Sequence, residues 1–108
     1  MLKTESSLKQ LAKEVAEYLV EYIHVDRIVL FGSYLNGSPR EDSDIDMVIV
    51  SRDFEKMSML EKMDLLARAS MAVDSRVELI GFPQKDYLNP SPVSLLAVIK
   101  KTGKVIYP

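Results

Sequence analysis

The stretch "IVLFGSYLNGSPREDSDIDMVIV", Ile28 to Val50, decides how this chain folds. It opens on "RIVLFG", a short β-rich apolar run that Gly32 ends, and closes on a second run, "DIDMVIV". The second run is apolar on both faces once its acids are passed, which suits a central strand covered on both sides. Between the two lies "SYLNGSPRED", one helical turn from Ser33 followed by turn formers. Asp44 and Asp46 stand at i and i+2, so on a strand both side chains leave from one face while Ile45 turns to the other. Carboxylates this close repel, and partial burial sharpens the repulsion. Either they face water, or something positive sits between them.

The pattern extends outward on both sides. Leu8, Leu11, Ala12, Val15, Tyr18, Leu19, Tyr22 and Ile23 recur at helical spacing, predicting an amphipathic helix from about Glu5 to Ile23. Met57 to Ala72 repeats Leu60, Met63, Leu66 or Ala67, and Met71 at the same spacing, a second helix. Its methionines are assigned to the core, with a partner surface as second choice. Tyr18 and Tyr22 read as core or interface. "RVELIGF" is a third strand. "NPSPVSLLAVIKKTGKVIYP" gives a helix over about Pro92 to Lys101, a stop at Gly103 and a terminal strand Val105 to Tyr107. The order α-β-turn-β-α-β-α-β predicts an α/β (α+β) fold. It is a single domain over residues 1–108, with a small mixed β-sheet packed against α-helices.

Composition narrows the function. At 108 residues the chain holds one domain with a real core, but not a catalytic domain plus a separate substrate domain. Its net charge of -2 disfavours grip on a long nucleic acid, which calls for a basic surface. With no cysteine there is neither disulfide nor thiolate metal site, which fits a reducing cytoplasm. The single histidine, His24, leaves little room for a zinc site and reads as a helix-end residue. No apolar run approaches the roughly 20 residues that span a membrane.

The acids define the candidate site. Two hard oxygen ligands at Asp44 and Asp46 suit Mg²⁺, which takes carboxylates together with waters and substrate phosphates. Glu78 is a third acid, placed among apolar neighbours in "RVELI". If that strand pairs beside Asp46, three carboxylates converge, enough to hold one or two metals for in-line attack at phosphorus. Gly32 and Ser33 end a strand and open a turn whose free N–H groups attract phosphate, and Gly37 permits a second close approach. Each part alone has a plainer reading: solvated turn acids for Asp44 and Asp46, an ordinary turn for Gly32–Ser33, an exposed edge-strand residue for Glu78. "DSDID" is not a calcium loop, because Met47 stands where such a loop needs glycine. No "GxxxxGK[ST]" phosphate loop is present.

Together, "GSYLNGSPREDSDID" resembles the Gly-Ser, ten residues, Asp-x-Asp signature of the nucleotidyltransferase superfamily that includes DNA polymerase beta. The strand before Gly32 and the final "SPVSLLAVIKKTGKVIY" are similar to its minimal stand-alone members, over about Leu11 to Tyr107. The resemblance implies that Gly32 and Ser33, with Gly37, hold the triphosphate of an incoming nucleotide. It implies two Mg²⁺ ions on Asp44 and Asp46, with Glu78 as the third carboxylate. The reaction implied is transfer of a nucleoside monophosphate, AMP from ATP, to a hydroxyl with release of pyrophosphate. Two positions depart from the family pattern: Asn36 stands where arginine is usual, with Arg40 a candidate replacement, and Glu78 is one methylene longer than the usual aspartate. The resemblance also implies a helical partner of the HEPN type. In such toxin-antitoxin pairs the small domain is the antitoxin and adenylylates a tyrosine of the toxin. A second copy of the chain is another candidate partner. The competing readings are a nucleotide-binding subunit with little turnover, and a transferase acting on a small molecule or RNA.

Overall fold

The computed structural model describes residues 5–32 and 44–108. In chain order they form α1 (Glu5–Leu19), β1 (Arg27–Phe31), β2 (Ile45–Ser51), a 3-10 turn (Arg52–Lys56), α2 (Met59–Val73), β3 (Val77–Pro83), α3 (Gln84–Leu88), α4 (Leu95–Thr102) and β4 (Lys104–Tyr107). The four strands make one mixed sheet in the order β3-β2-β1-β4. β1 runs antiparallel to β2 and β4, and β3 runs parallel to β2. This is the expected α+β arrangement. Among the described residues, no helix is long and apolar enough to cross a membrane.

Side-chain alternation builds two cores. On one face Ile28, Leu30, Ile45, Met47 and Ile49 meet the buried stripes of α1 and α2, including Leu11, Val15, Leu19, Leu66 and Ala69. On the other face Val29, Val48 and Val50 meet Tyr87 of α3 and Leu96 and Ile99 of α4. β2 is therefore buried on both sides, as its continuous apolar run requires.

Local chemistry fixes the element ends. Ser58 and Glu61 form a reciprocal capping box at the start of α2, with bonds of 3.1 and 3.0 Å. α4 begins at Leu95 rather than Pro92, because the Ser94 hydroxyl accepts from the Ala97 N–H at 3.1 Å and the residues before Pro90 and Pro92 favour extended backbone. α1 ends at Leu19, four residues short of expectation, where the Tyr22 N–H closes a tighter turn onto the Leu19 carbonyl. The 3-10 turn and α3 are too short to show a helical period.

One assignment is overturned. Met59, Met63 and Met71 are not core: they are 65%, 57% and 80% exposed. The buried stripe of α2 is Leu65, Leu66 and Ala69, which leaves the methionines on an outer face. Tyr18 is half-buried and Tyr22 exposed, their ring centroids 5.7 Å apart. His24 is not at a helix end as expected: α1 stops five residues earlier, and in the connection to β1 its backbone N–H donates to Asp53 at 2.6 Å while Nδ1 lies 2.9 Å from the same carboxylate oxygen.

At the sheet end away from the acids, Asp26 precedes β1 and Arg52 follows β2. The Asp26 carboxylate accepts from the Arg52 backbone N–H at 2.8 Å and from Nη2 at 2.7 Å. The hydrogen bond from the Arg52 side chain holds Asp26 below the usual carboxylate range. A depressed folded-state value stabilises above the unfolded value of 3.8, and that stabilisation is lost as pH falls through the folded value. Asp26→Asn is expected to lower the urea midpoint at pH 7, with the gap to the wild type closing below about pH 4. A gap that persists into strong acid would mean that Asp26 acts through its shape and not its charge.

Candidate functional site

Strand register assembles the site. Antiparallel pairing sets Phe31 opposite Asp46, and parallel pairing sets Asp46 opposite Glu78. Phe31, Asp46 and Glu78 thus form one row across three strands at the sheet end, on the face that α3 and α4 cover farther along. Asp44 sits one residue before β2 and extends the same side of the row. The glutamate that looked misplaced in "RVELI" therefore meets the Asp-x-Asp pair. It also lies on an edge strand and is exposed, so its plainer reading holds for position though not for contacts.

The carboxyls act on one another. Burial pushes the Asp46 carboxyl above its usual value, and the Asp44 charge pushes the same way against the hydrogen bond with Glu78. Glu78 is raised first by its hydrogen bond with Asp46, then by the Asp44 charge. In both groups the Asp44 charge adds to the rise, so the fold gathers negative charge here without a basic partner among the causes of either shift.

Gly32 faces this charge. Its φ is +85°, a left-handed conformation that favours glycine. A Cβ built there would lie 2.3 Å from Asp46 Oδ2. Gly32 is thus pressed against the acid, so a ligand held at Gly32 would share the space above Asp46.

Gly32, Asp44, Asp46 and Glu78 are brought together. Ser33 and Gly37, with Asn36 and Arg40, lie outside the described residues. Sequence reasoning missed Phe31, half-buried on the side of Asp46 away from Glu78. Its only signal was alternation along "RIVLF", which puts Val29 and Phe31 on one face.

The donor set suits a hard divalent cation. Among the described residues, no group of three or more His, Asp or Glu side chains forms a ready-made cage. Mg²⁺ does not require one, since it keeps waters and takes one or two carboxylates plus substrate phosphates. Oxygen-only donors, with Asp46 raised first by burial and Glu78 first by its hydrogen bond with Asp46, stand beside Gly32, which has no side chain in the way, and meet that need.

Residues 13–108 match the family described as "Polymerase beta, Nucleotidyltransferase". A relative from Methanocaldococcus jannaschii, named "Putative protein adenylyltransferase MJ1379", is 30% identical over 82% of this chain and 87% of its own length. A "putative nucleotidyltransferase from Sulfolobus solfataricus" shares the fold with a TM-score of 0.67 at 20% identity, over 94% of this chain and 80% of that one. A solved "toxin-antitoxin with AMP-PNP" aligns with a TM-score of 0.61 at 26% identity, over 88% of this chain and 71% of that one.

Gly32→Ala separates the site from the fold. Left-handed backbone at alanine costs about 1–2 kcal/mol, a modest loss in a thermal melt. The added Cβ also displaces the Asp46 carboxylate, so affinity for Mg²⁺-ATP by calorimetry is expected to fall at least about tenfold. Unchanged affinity would show that Gly32 does not shape the ligand site.

Proposed function

Because this chain belongs to the polymerase beta-type nucleotidyltransferase family, we propose that it transfers AMP from ATP to a side-chain hydroxyl of a partner protein, with Mg²⁺, as the antitoxin of a toxin-antitoxin pair. The observation that carries the chemistry is the row in which Asp46 pairs in register with Glu78 while Gly32 closes over Asp46. The choice of a protein acceptor draws on the relative named for protein adenylylation. The choice of ATP and of an antitoxin role draws on the toxin-antitoxin structure with AMP-PNP. The partner we favour is a helical protein of the HEPN type, as the sequence resemblance implies.

In this reading the turn at Gly32 and Ser33, with Gly37, receives the triphosphate through backbone N–H groups. Asp44 and Asp46 are the carboxylates that would hold Mg²⁺, with Glu78 completing the set. Bound there, the cation would offset charge on the phosphates and the carboxylates alike. The acceptor oxygen attacks the α-phosphorus, and the bond from that phosphorus to the pyrophosphate oxygen breaks. In this reading Glu78, which is hydrogen-bonded to Asp46 and open to solvent, would take the hydroxyl proton. The exposure of Glu78 favours a second reading as well: a subunit that binds nucleotide but turns it over poorly because this carboxylate is loosely held.

Transfer is tested with α-labelled ATP, Mg²⁺, the purified chain and lysate of its source cells. A labelled protein is expected, and Asp44→Asn with Asp46→Asn, or a chelator, should abolish the label. Glu78→Gln is expected to lower transfer about 10²-fold or more while keeping nucleotide affinity within a few-fold. Nucleotide binding without label, with the partner shown to be in the lysate, would favour the binding subunit. Equal transfer by wild type and Glu78→Gln would return Glu78 to the status of a plain edge residue.

A further inference from the structure

A groove of about 660 Å³ runs between α2 and the outer edge of β3, and Glu78 lines it. Met59, Lys62 and Met63 form its α2 wall, and Ile80 continues the β3 wall beyond Glu78. Met63 and Ile80 are 57% and 39% exposed, large apolar side chains left facing water. Alternation along β3 turns Glu78 and Ile80 to the face away from α2, so the groove wraps the outer edge of β3 and reaches the acid row at Glu78.

Two features say what the groove takes. First, in-line displacement needs the entering oxygen and the leaving pyrophosphate on opposite sides of the phosphorus. Gly32 lies on the β1 side of Asp46, and Glu78 lies on the β3 side. Pyrophosphate held toward Gly32 leaves the Glu78 side, where the groove opens, for the acceptor. Second, the edge of β3 is partly closed to an added strand. The Ser70 hydroxyl donates to the Val77 carbonyl, and Lys62 Nζ donates to the Gly81 carbonyl at 2.9 Å. An occupant must hold on through its side chains instead of its backbone.

We infer that this groove is the acceptor site: it seats a segment of the partner protein that lays apolar side chains on Met59, Met63 and Ile80 and delivers a hydroxyl past Glu78 to the α-phosphorus. The inference rests on the transfer reading above. Its chemistry balances as that transfer does: one oxygen–phosphorus bond forms, one breaks, pyrophosphate departs, and the hydroxyl proton goes to Glu78. Continuity through Glu78 distinguishes this groove from other exposed apolar surface, such as Val98 on α4, since only a segment bound beside Glu78 brings its hydroxyl to the acids.

The test uses the full chain with a photo-cross-linking residue in place of Met63 or, as control, in place of Val20, exposed just after α1. Each is illuminated in lysate of the source cells with α-labelled ATP and Mg²⁺. The labelled protein is expected to cross-link through position 63 and not through position 20. Met63→Glu should lower labelling at least about tenfold while Mg²⁺-ATP affinity by calorimetry stays within about twofold. Wild-type labelling by Met63→Glu, or cross-linking only through position 20, would overturn the groove as acceptor site and leave the transfer reading standing. A wild-type chain that labels no protein would overturn the transfer reading and the groove with it.

Discussion

The register of β2 against its two neighbours is the constraint on which the acid row depends. Side chains alternate with a period of two, so a slip of one residue would turn Asp46 toward α1 and α2 and Met47 toward the row. That slip would bury a carboxylate among Leu11, Val15 and Leu66, at a cost of several kcal/mol. The apolar halves of β1, β2 and β3 thus lock the register, and the register delivers Phe31, Asp46 and Glu78 to one line. Strands about 4.8 Å apart keep neighbouring carboxyls within mutual reach. The site is a by-product of core packing in the sense that no loop has to find it. Among the described site residues only Gly32 and Asp44 stand outside the strands, and each is adjacent to one.

The two ends of the β1–β2 pair carry opposite electrostatics. At one end Asp26 meets Arg52, and its carboxyl is held low. At the other, Asp46 is pushed up by burial and by the Asp44 charge, and Glu78 by its hydrogen bond with Asp46 and by the Asp44 charge. A domain selected for stability alone would pair both ends in the first way. Keeping repulsion at the second end is what a site does when its counter-charge arrives with the ligand. The core can carry this conflict because β2 contributes five fully buried residues in succession, from Met47 to Ser51, and a sixth at Ile45.

Much of this was legible in the sequence, for identifiable reasons. "DIDMVIV" announced a central strand because its apolar residues fall on both faces, and the Asp-x-Asp spacing placed two acids on one face of it. Glu78 was legible only as an anomaly. Whether it met Asp46 depended on β3 pairing with β2, a long-range choice that local pattern does not encode. The 3-10 turn and α3 were not legible because five residues cannot display a helical period. The methionines of α2 misled for a different reason. Its apolar residues form two stripes, Leu65, Leu66 and Ala69 inside and Met59, Met63 and Met71 outside, and hydrophobicity alone does not say which stripe meets the sheet. Ser33 and Gly37 lie outside the described residues, so their part in the site stays with the motif.

The outer stripe of α2 has a structural consequence of its own. β3 is an edge strand, and a free edge beside apolar side chains invites indiscriminate strand pairing. Here α2 supplies the remedy from its own side chains, since Lys62 and Ser70 occupy carbonyls of β3 while the methionines beside them remain open. Backbone recognition, which accepts almost any extended sequence, is thereby suppressed, and side-chain recognition, which discriminates, is kept. Methionine is the apolar residue best able to conform to a specific neighbour without a preformed pocket. Transfer to one partner protein among many, as proposed above, would call for that combination beside the strand that carries Glu78.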